Sequence, residues 1–466
     1  MKIKISVKEM IVVFLYSTFF ISFFIWSNSL TNENINSYPY EILLFPWVIF
    51  SILVTFLCFF LVKKVHFFDF GLWFYTLSIC FMFGYIFLKI FNLKTTLLWQ
   101  PEIYFTRLNL FKSSHYSLSS LTFFSFVYIF FYDSSIKILD INITNNKNKE
   151  MIGYSIYIFG LISNLYVFFK VVGATRSVGS YTGFSNATIN GMIATFAQLI
   201  VPGLFIILNS TQRITSKNKI LIFLTLIINV LYMMLSGSRK IQIFTILSII
   251  LFYELKKRLL GNKTKINFGI LVGGVIFLNL IYVIREYRMN LLQVPDAFFN
   301  SLIKMTFFKS IIAESFAETG LTFYSVTSIF TYVPQVFKFE SGLTFIKSLP
   351  SIFPLGGVFN DIFNSASSTF VINKYSGIPA GSSLIGDLYW NFGYLGGILS
   401  IIIFAYITSK FISKIIIKNS EMYFTIFFIL IQAVRVGIFE LTRPIFLVGL
   451  LPFLLIKFSK SRRNIK

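Results

Sequence analysis

Charged residues are scarce in this chain. They make up 13% of its 466 positions, about half the ~25% usual in a soluble domain, and that shortage excludes an ordinary soluble globular fold. Cysteine is scarcer still: Cys58 and Cys80 both fall inside apolar stretches, which leaves neither a disulfide framework nor a thiolate metal site. Only His66 and His115 supply imidazole, and the topology derived below separates them across a membrane, so no histidine pair can hold zinc. Asp-x-Asp, Walker-type and GxGxxG patterns are absent, which argues against a metal-held nucleotide sugar or a nucleotide-phosphate cradle. Asp69-Phe70-Gly71 imitates a kinase tripeptide but stands at the edge of an apolar run, where it reads as coincidence.

What the chain does have is apolar surface. Hydrophobic side chains account for 56% of it and aromatics for 19%, gathered in blocks long enough to cross ~30 Å of hydrocarbon as helices. Twelve such blocks are expected to be spans: Met10 to Trp26, Glu41 to Val62, Phe70 to Lys89, Tyr116 to Tyr132, Ile152 to Phe169, Thr188 to Leu208, Ile220 to Leu235, Ile241 to Tyr253, Phe268 to Val283, Ser383 to Thr408, Met422 to Val436 and Ile445 to Lys457. The first follows Lys2, Lys4 and Lys8 like a secretory signal, but with no small-residue cleavage site it reads as a retained anchor. The fold class is thus all-α, a polytopic membrane helix bundle forming one domain over 1–466.

The net charge of +23 would suggest nucleic acid in a soluble protein, but most basic residues here sit beside apolar blocks, where topology explains them. The loops on the amino-terminal side carry 24 Lys and Arg, against 10 in the short loops opposite. The positive-inside rule therefore puts both termini in the cytoplasm. The segment 284–382 then faces outward; it is long, carries five prolines including Pro334 and Pro379, and is too apolar to be disordered. Short helices packed on the outer face are expected there.

Arginine is distributed unevenly: four on the lysine-rich side, but Arg107, Arg176, Arg239, Arg285, Arg288, Arg435 and Arg443 on the other. Arginine grips phosphate through a planar fork, and its retention on the face that topology disfavours points to an outer anion site. In Ser236-Gly237-Ser238-Arg239-Lys240 a glycine turn leads into a helix expected from Ile241, whose free N–H groups already favour an anion. Arg285 and Arg288 share a face if the ninth span continues outward, and Arg176 lies in a Gly- and Ser-rich stretch that reads as a loop. Acidic candidates on that side are Glu314 and Glu318, spaced i and i+4, and Asp387 at the mouth of the tenth span. A carboxylate in an Arg-rich cleft stays ionised and can act as a general base.

Architecture and motifs together resemble the bacterial O-antigen or oligosaccharide repeat-unit polymerases, the Wzy family. The resemblance rests on about twelve spans, Ser236-Gly237-Ser238-Arg239 opening a helix, a large late outer loop, and above all the run Gly381-Ser382-Ser383-Leu384-Ile385-Gly386-Asp387-Leu388-Tyr389-Trp390-Asn391-Phe392-Gly393-Tyr394-Leu395-Gly396. It implies a GT-C-like membrane glycosyltransferase of the bacterial inner membrane, working on its periplasmic face. Its donor and acceptor would be undecaprenyl-diphosphate-linked oligosaccharides, with membrane lipid around it, a chain-length regulator as protein partner, and no cofactor, metal or nucleic acid. From position and chemistry Arg176, Arg239, Arg285, Arg288 and Arg443 are the expected diphosphate ligands, Glu314, Glu318 or Asp387 the base, and Tyr389 and Asn391 acceptor contacts; only Arg239 and Asp387 lie within stretches that look like the family's. O-antigen ligases share the architecture but look to use an outer histidine in the long loop, where this chain has none. A flippase would concentrate polar groups at mid-membrane and show paired halves, and an acyltransferase would need a His or Ser nucleophile system; neither is present.

Overall fold

The computed structural model describes residues 6–95, 100–134, 146–261, 268–303, 311–354, 359–377 and 381–461. Pro379 and the orienting cations Lys2, Lys4, Lys137, Lys263, Lys265, Arg462, Arg463 and Lys466 lie outside them. Every regular element among the described residues is helical. In chain order they begin α1 (Val7–Ser29), α2 (Tyr40–Val62), α3 (Phe70–Ile90), α4 (Arg107–Phe131), α5 (Lys147–Val178), α6 (Gly191–Asn209), α7 (Ser216–Ser236), α8 (Lys240–Leu259) and α9 (Phe268–Glu286). The former loop supplies α10 (Val294–Ile303), α11 (Ile311–Gly320), α12 (Thr322–Tyr332), α13 (Leu343–Ser348) and α14 (Asn360–Ser365), and the chain finishes with α15 (Leu384–Lys418), α16 (Ser420–Val434) and α17 (Ile438–Phe458).

All twelve expected blocks fall on helices, and eight of these helices are long and apolar enough to cross a membrane. Among the described residues, two of the other expected spans are less apolar or shorter: α4 is diluted by six serines, and α16 is short. Local chemistry sets the ends. Ser6 and Glu9 form a capping box at α1, and Asp69 Oδ1 accepts from the amides of Gly71 and Leu72 at α3, which gives Asp69-Phe70-Gly71 its actual role as a helix start.

The outer segment departs from expectation in one respect. Short helices are present, but α11 and α12 do not lie over the bundle; they insert into it. Phe323, Tyr324, Val326 and Ile329 are core residues, and Thr327 hydrogen-bonds Ser113 of α4 at 2.9 Å. Two glycines permit the approach. A Cβ on Gly84 of α3 would lie 2.7 Å from the carbonyl oxygen of Phe316, and one on Gly320 would lie 2.9 Å from the amide of Tyr85. Small residues at a crossing let helix backbones come close, and this crossing fixes the rotation of α11, hence the direction of Glu314 and Glu318.

Arg239 and Lys256 stand at opposite ends of α8, about 25 Å apart at 1.5 Å per residue. The Lys256 end is fastened by lysine: Lys149 pairs with Glu421 at 2.6 Å, Lys256 donates to the Thr211 carbonyl at 2.7 Å, and Lys63 reaches Glu9 at 3.7 Å. The other end gathers arginine.

Candidate active site

The turn Ser236-Gly237-Ser238-Arg239 is built as the sequence suggests. α7 ends at Ser236, Gly237 takes a left-handed φ of 70° that a side chain would strain, and α8 begins at Lys240 with Arg239 in the N-cap position. Arg239 turns inward. Its Nη1 donates to the Ile281 carbonyl of α9 at 3.3 Å and lies 3.0 Å from Glu318 Oε2. One turn further along α9, Arg285 pairs with Glu314 Oε2 and donates to the Glu314 carbonyl at 3.3 Å. Thr95 adds a third partner, its hydroxyl donating to Glu314 Oε2 at 3.0 Å. The i, i+4 spacing of the two glutamates on α11 therefore matches that of Ile281 and Arg285 on α9, and the result is a two-rung ladder of opposite charges. All four side chains are under a tenth exposed. Burial pulls the Arg239 guanidinium below its ordinary range, opposed by Glu318 and reinforced by the cations Arg435 and Arg288 nearby.

Arg435 is the residue that sequence reasoning passed over. It approaches Glu318 from the side opposite Arg239, Nη2 to Oε1 at 3.5 Å, so one carboxylate is shared by two guanidiniums. Its place in the set of seven outer arginines was the available signal; its position inside the apolar run Ala433 to Ile438 hid it. The break between α16 and α17 aims it inward, and the Asp387 region holds that break. Asp387 Oδ2 accepts from the Ile438 amide at 2.8 Å, its Oδ1 accepts from Ser368 at 2.6 Å, and Ser382 accepts from the Gly437 amide at 2.7 Å. Gly437 has to be glycine, because a Cβ there would sit 2.1 Å from Asp387 Oδ2.

The remaining expected residues are placed as follows. Arg176 belongs to the last turn of α5, not to a loop; Gly179, at φ 70°, ends that helix. It lines a small hollow with Gly179, Leu235, Leu291, Leu292 and Pro295. Arg288 lies beyond the end of α9, so it shares no helical face with Arg285; it stands over the Tyr181 ring at 5.9 Å, and its carbonyl accepts from the Tyr181 amide at 2.8 Å. Since Tyr181 also packs on Gly237, Arg288 adjoins the ladder. Arg443 donates to the Ser351 carbonyl and approaches Gly191. Asn391 bridges the Asp387 carbonyl, at 2.8 Å, to Thr344, at 2.9 Å, while Tyr389 stacks on Phe330 with centroids 3.7 Å apart. Arg239, Arg285, Glu314 and Glu318 are thus brought together; Arg443, Tyr389 and Asn391 serve the packing of α12, α13, α15 and α17. Among the described residues no group of three or more His, Cys, Asp or Glu could hold a metal.

A concentration of buried guanidiniums, with forks aimed at carboxylate oxygens, is chemistry suited to a phosphate-bearing substrate. In a comparison with protein families, the O-antigen polysaccharide polymerase Wzy model matches residues 10–463. The chain belongs to the Wzy family. It is accordingly a multi-pass membrane enzyme of the class that polymerises O-antigen repeat units, acting on lipid-linked oligosaccharides. No curated relative and no solved structure matched the chain.

Proposed function

We propose that this Wzy protein transfers a growing glycan from its undecaprenyl diphosphate onto the non-reducing end of a fresh lipid-linked unit. In this reading the arginine end of the bundle opens to the periplasm of the inner membrane, both termini are cytoplasmic, and a chain-length regulator is a candidate partner. The observation that carries it is the set Arg239–Glu318–Arg435, buried except for the half-buried Arg435, with Arg285–Glu314 beside it. Breaking the sugar–phosphate bond develops negative charge on the diphosphate, and fixed cations in a dry site stabilise it, each worth about 3 kcal/mol of barrier. Arg239, Arg285 and Arg435 are the diphosphate ligands of this proposal, with Arg288 next to them; Arg176 and Arg443 stand further out. Glu318 is favoured over Asp387 as the acceptor's base because it lies among the arginines, whereas Asp387 is committed to the Ile438 amide and the Ser368 hydroxyl at the α16–α17 break.

Complementation of a polymerase-deficient strain tests this. Arg239→Ala and Arg285→Ala are expected to reduce polymer ladders to single repeat units on a polysaccharide gel, a loss of about 10²–10³ in rate per donor, with membrane levels maintained by immunoblot. Since removing one partner of a buried pair costs about 3–5 kcal/mol, Arg239→Lys accompanies them: it keeps the charge and loses the planar fork. Normal ladders from Arg239→Ala and Arg285→Ala together would end the assignment.

A further inference from the structure

Resting on that reading of the site, we infer that Glu318 and Glu314 are internal stand-ins for the substrate diphosphate, displaced when it binds, and that displacement is what frees Glu318 to act as base.

Four features of the ladder converge on this. The two carboxylates lie one helical turn apart and each faces a guanidinium, so the outer oxygens of two linked phosphates could reach both guanidiniums in their place. Glu318 is held between Arg239, on one side, and Arg435, on the other, as a bridging phosphate would be. Its two contacts are unequal: Arg239 lies 3.0 Å from Oε2, whereas Arg435 reaches Oε1 only at 3.5 Å. Arg435 is also the most exposed member, its side chain 23% accessible against 6% for Arg239 and 7% for Arg285, so an arriving anion meets it first.

Charge balance favours exchange. Among the described residues the ion pairs of the ladder set three arginines against two glutamates, an excess of one positive charge, with Arg288 nearby. A sugar–lipid diphosphate brings one negative charge per phosphate and so replaces two carboxylates without stranding a buried cation. The released Glu318 no longer has its oxygens engaged by arginine, and they are open to the acceptor hydroxyl. It then takes the proton of the acceptor hydroxyl as that oxygen bonds to the anomeric carbon; the anomeric carbon–oxygen bond breaks, and its electron pair leaves on the diphosphate. An unloaded enzyme thus keeps its base masked until a donor is present.

Binding of undecaprenyl diphosphate to the full-length protein in lipid nanodiscs, followed by microscale thermophoresis, separates the possibilities. Glu318→Gln, nearly isosteric and uncharged, is expected to bind this probe at least tenfold more tightly than wild type while making no polymer. Glu318→Asp, which keeps the charge and loosens its reach, is expected to bind severalfold more tightly and retain partial activity; it decides the question if the glutamine variant does not fold. If folded Glu318→Gln or Glu318→Asp binds no better than wild type, the carboxylate is a structural partner of Arg239 and the inference falls. Wild-type protein that does not bind the probe at all would instead overturn the diphosphate reading of the site.

Discussion

Arg435 and Arg443 are eight residues apart and chemically identical, yet their surroundings assign them different tasks. Arg435 meets a buried carboxylate shared with Arg239, whereas Arg443 donates to the Ser351 carbonyl. Replacing Arg435 by Ala is therefore expected to cut polymer formation by about 10²-fold, the effect of losing one preorganised donor, while Arg443→Ala retains long ladders; measured side by side on polysaccharide gels, the reverse ranking would relocate the anion site to α17. Asp387 separates positioning from chemistry in the same way. Asp387→Ala orphans the Ser368 hydroxyl and the Ile438 amide, at about 1–3 kcal/mol for each buried donor left unpaired. The expected outcome is a lower melting temperature in detergent together with lost activity. Asp387→Asn, still able to accept with its amide oxygen, is expected to recover part of both, an outcome a direct proton acceptor would not allow.

Among the elements, α11 decides whether a site exists, and two glycines decide where α11 goes. At Gly84 the atom a side chain would strike is a backbone carbonyl, which cannot swing aside. Gly84→Val is expected to push α11 off α3, cost about 1–3 kcal/mol as overpacking does, and abolish polymer though no charged residue is touched; full ladders from that variant would show that the α3–α11 crossing does not position the glutamates. This element was also the hardest to read from sequence. The twelve apolar blocks and the Gly237 turn were legible because length, hydropathy and a left-handed glycine are local signals. The insertion of α11 and α12 was not, because Ser325, Thr327 and Ser328 make that stretch look like surface while their hydroxyls are buried in the bundle. Arg176 was misjudged for a similar reason: the glycines that follow it mark where α5 stops, not a loop around the arginine. Pairing was illegible throughout. Nothing local to Glu318 announces that guanidiniums from two distant junctions, Arg239 and Arg435, will close on it.

Across the whole molecule arginine is enriched among the ion pairs of one end, where lysine also pairs, Lys240 with Glu440 and Lys347 with Glu340. Lysines fasten one end, through Lys63 on Glu9, Lys149 on Glu421 and Lys414 on Asp133, and arginines line the interior of the other, through Arg239, Arg285 and Arg435. A lysine ammonium is strongly hydrated and suits a face held in the cytoplasm by charge, whereas a weakly hydrated guanidinium tolerates the dry interior that phosphate recognition needs. The orientation proposed above, with the arginine end facing outward, can be measured. With Cys58 and Cys80 replaced by Ala, Ser341→Cys at the exposed turn before α13 is expected to react with a membrane-impermeant maleimide in cells with a permeabilised outer membrane. Ser216→Cys, exposed at the lysine end beside Lys217 and Lys219, is expected to react only after the inner membrane is opened. The opposite pattern would put the arginines in the cytoplasm and overturn the proposed orientation; labelling of both positions in intact spheroplasts would mean that the charge asymmetry does not set the topology at all.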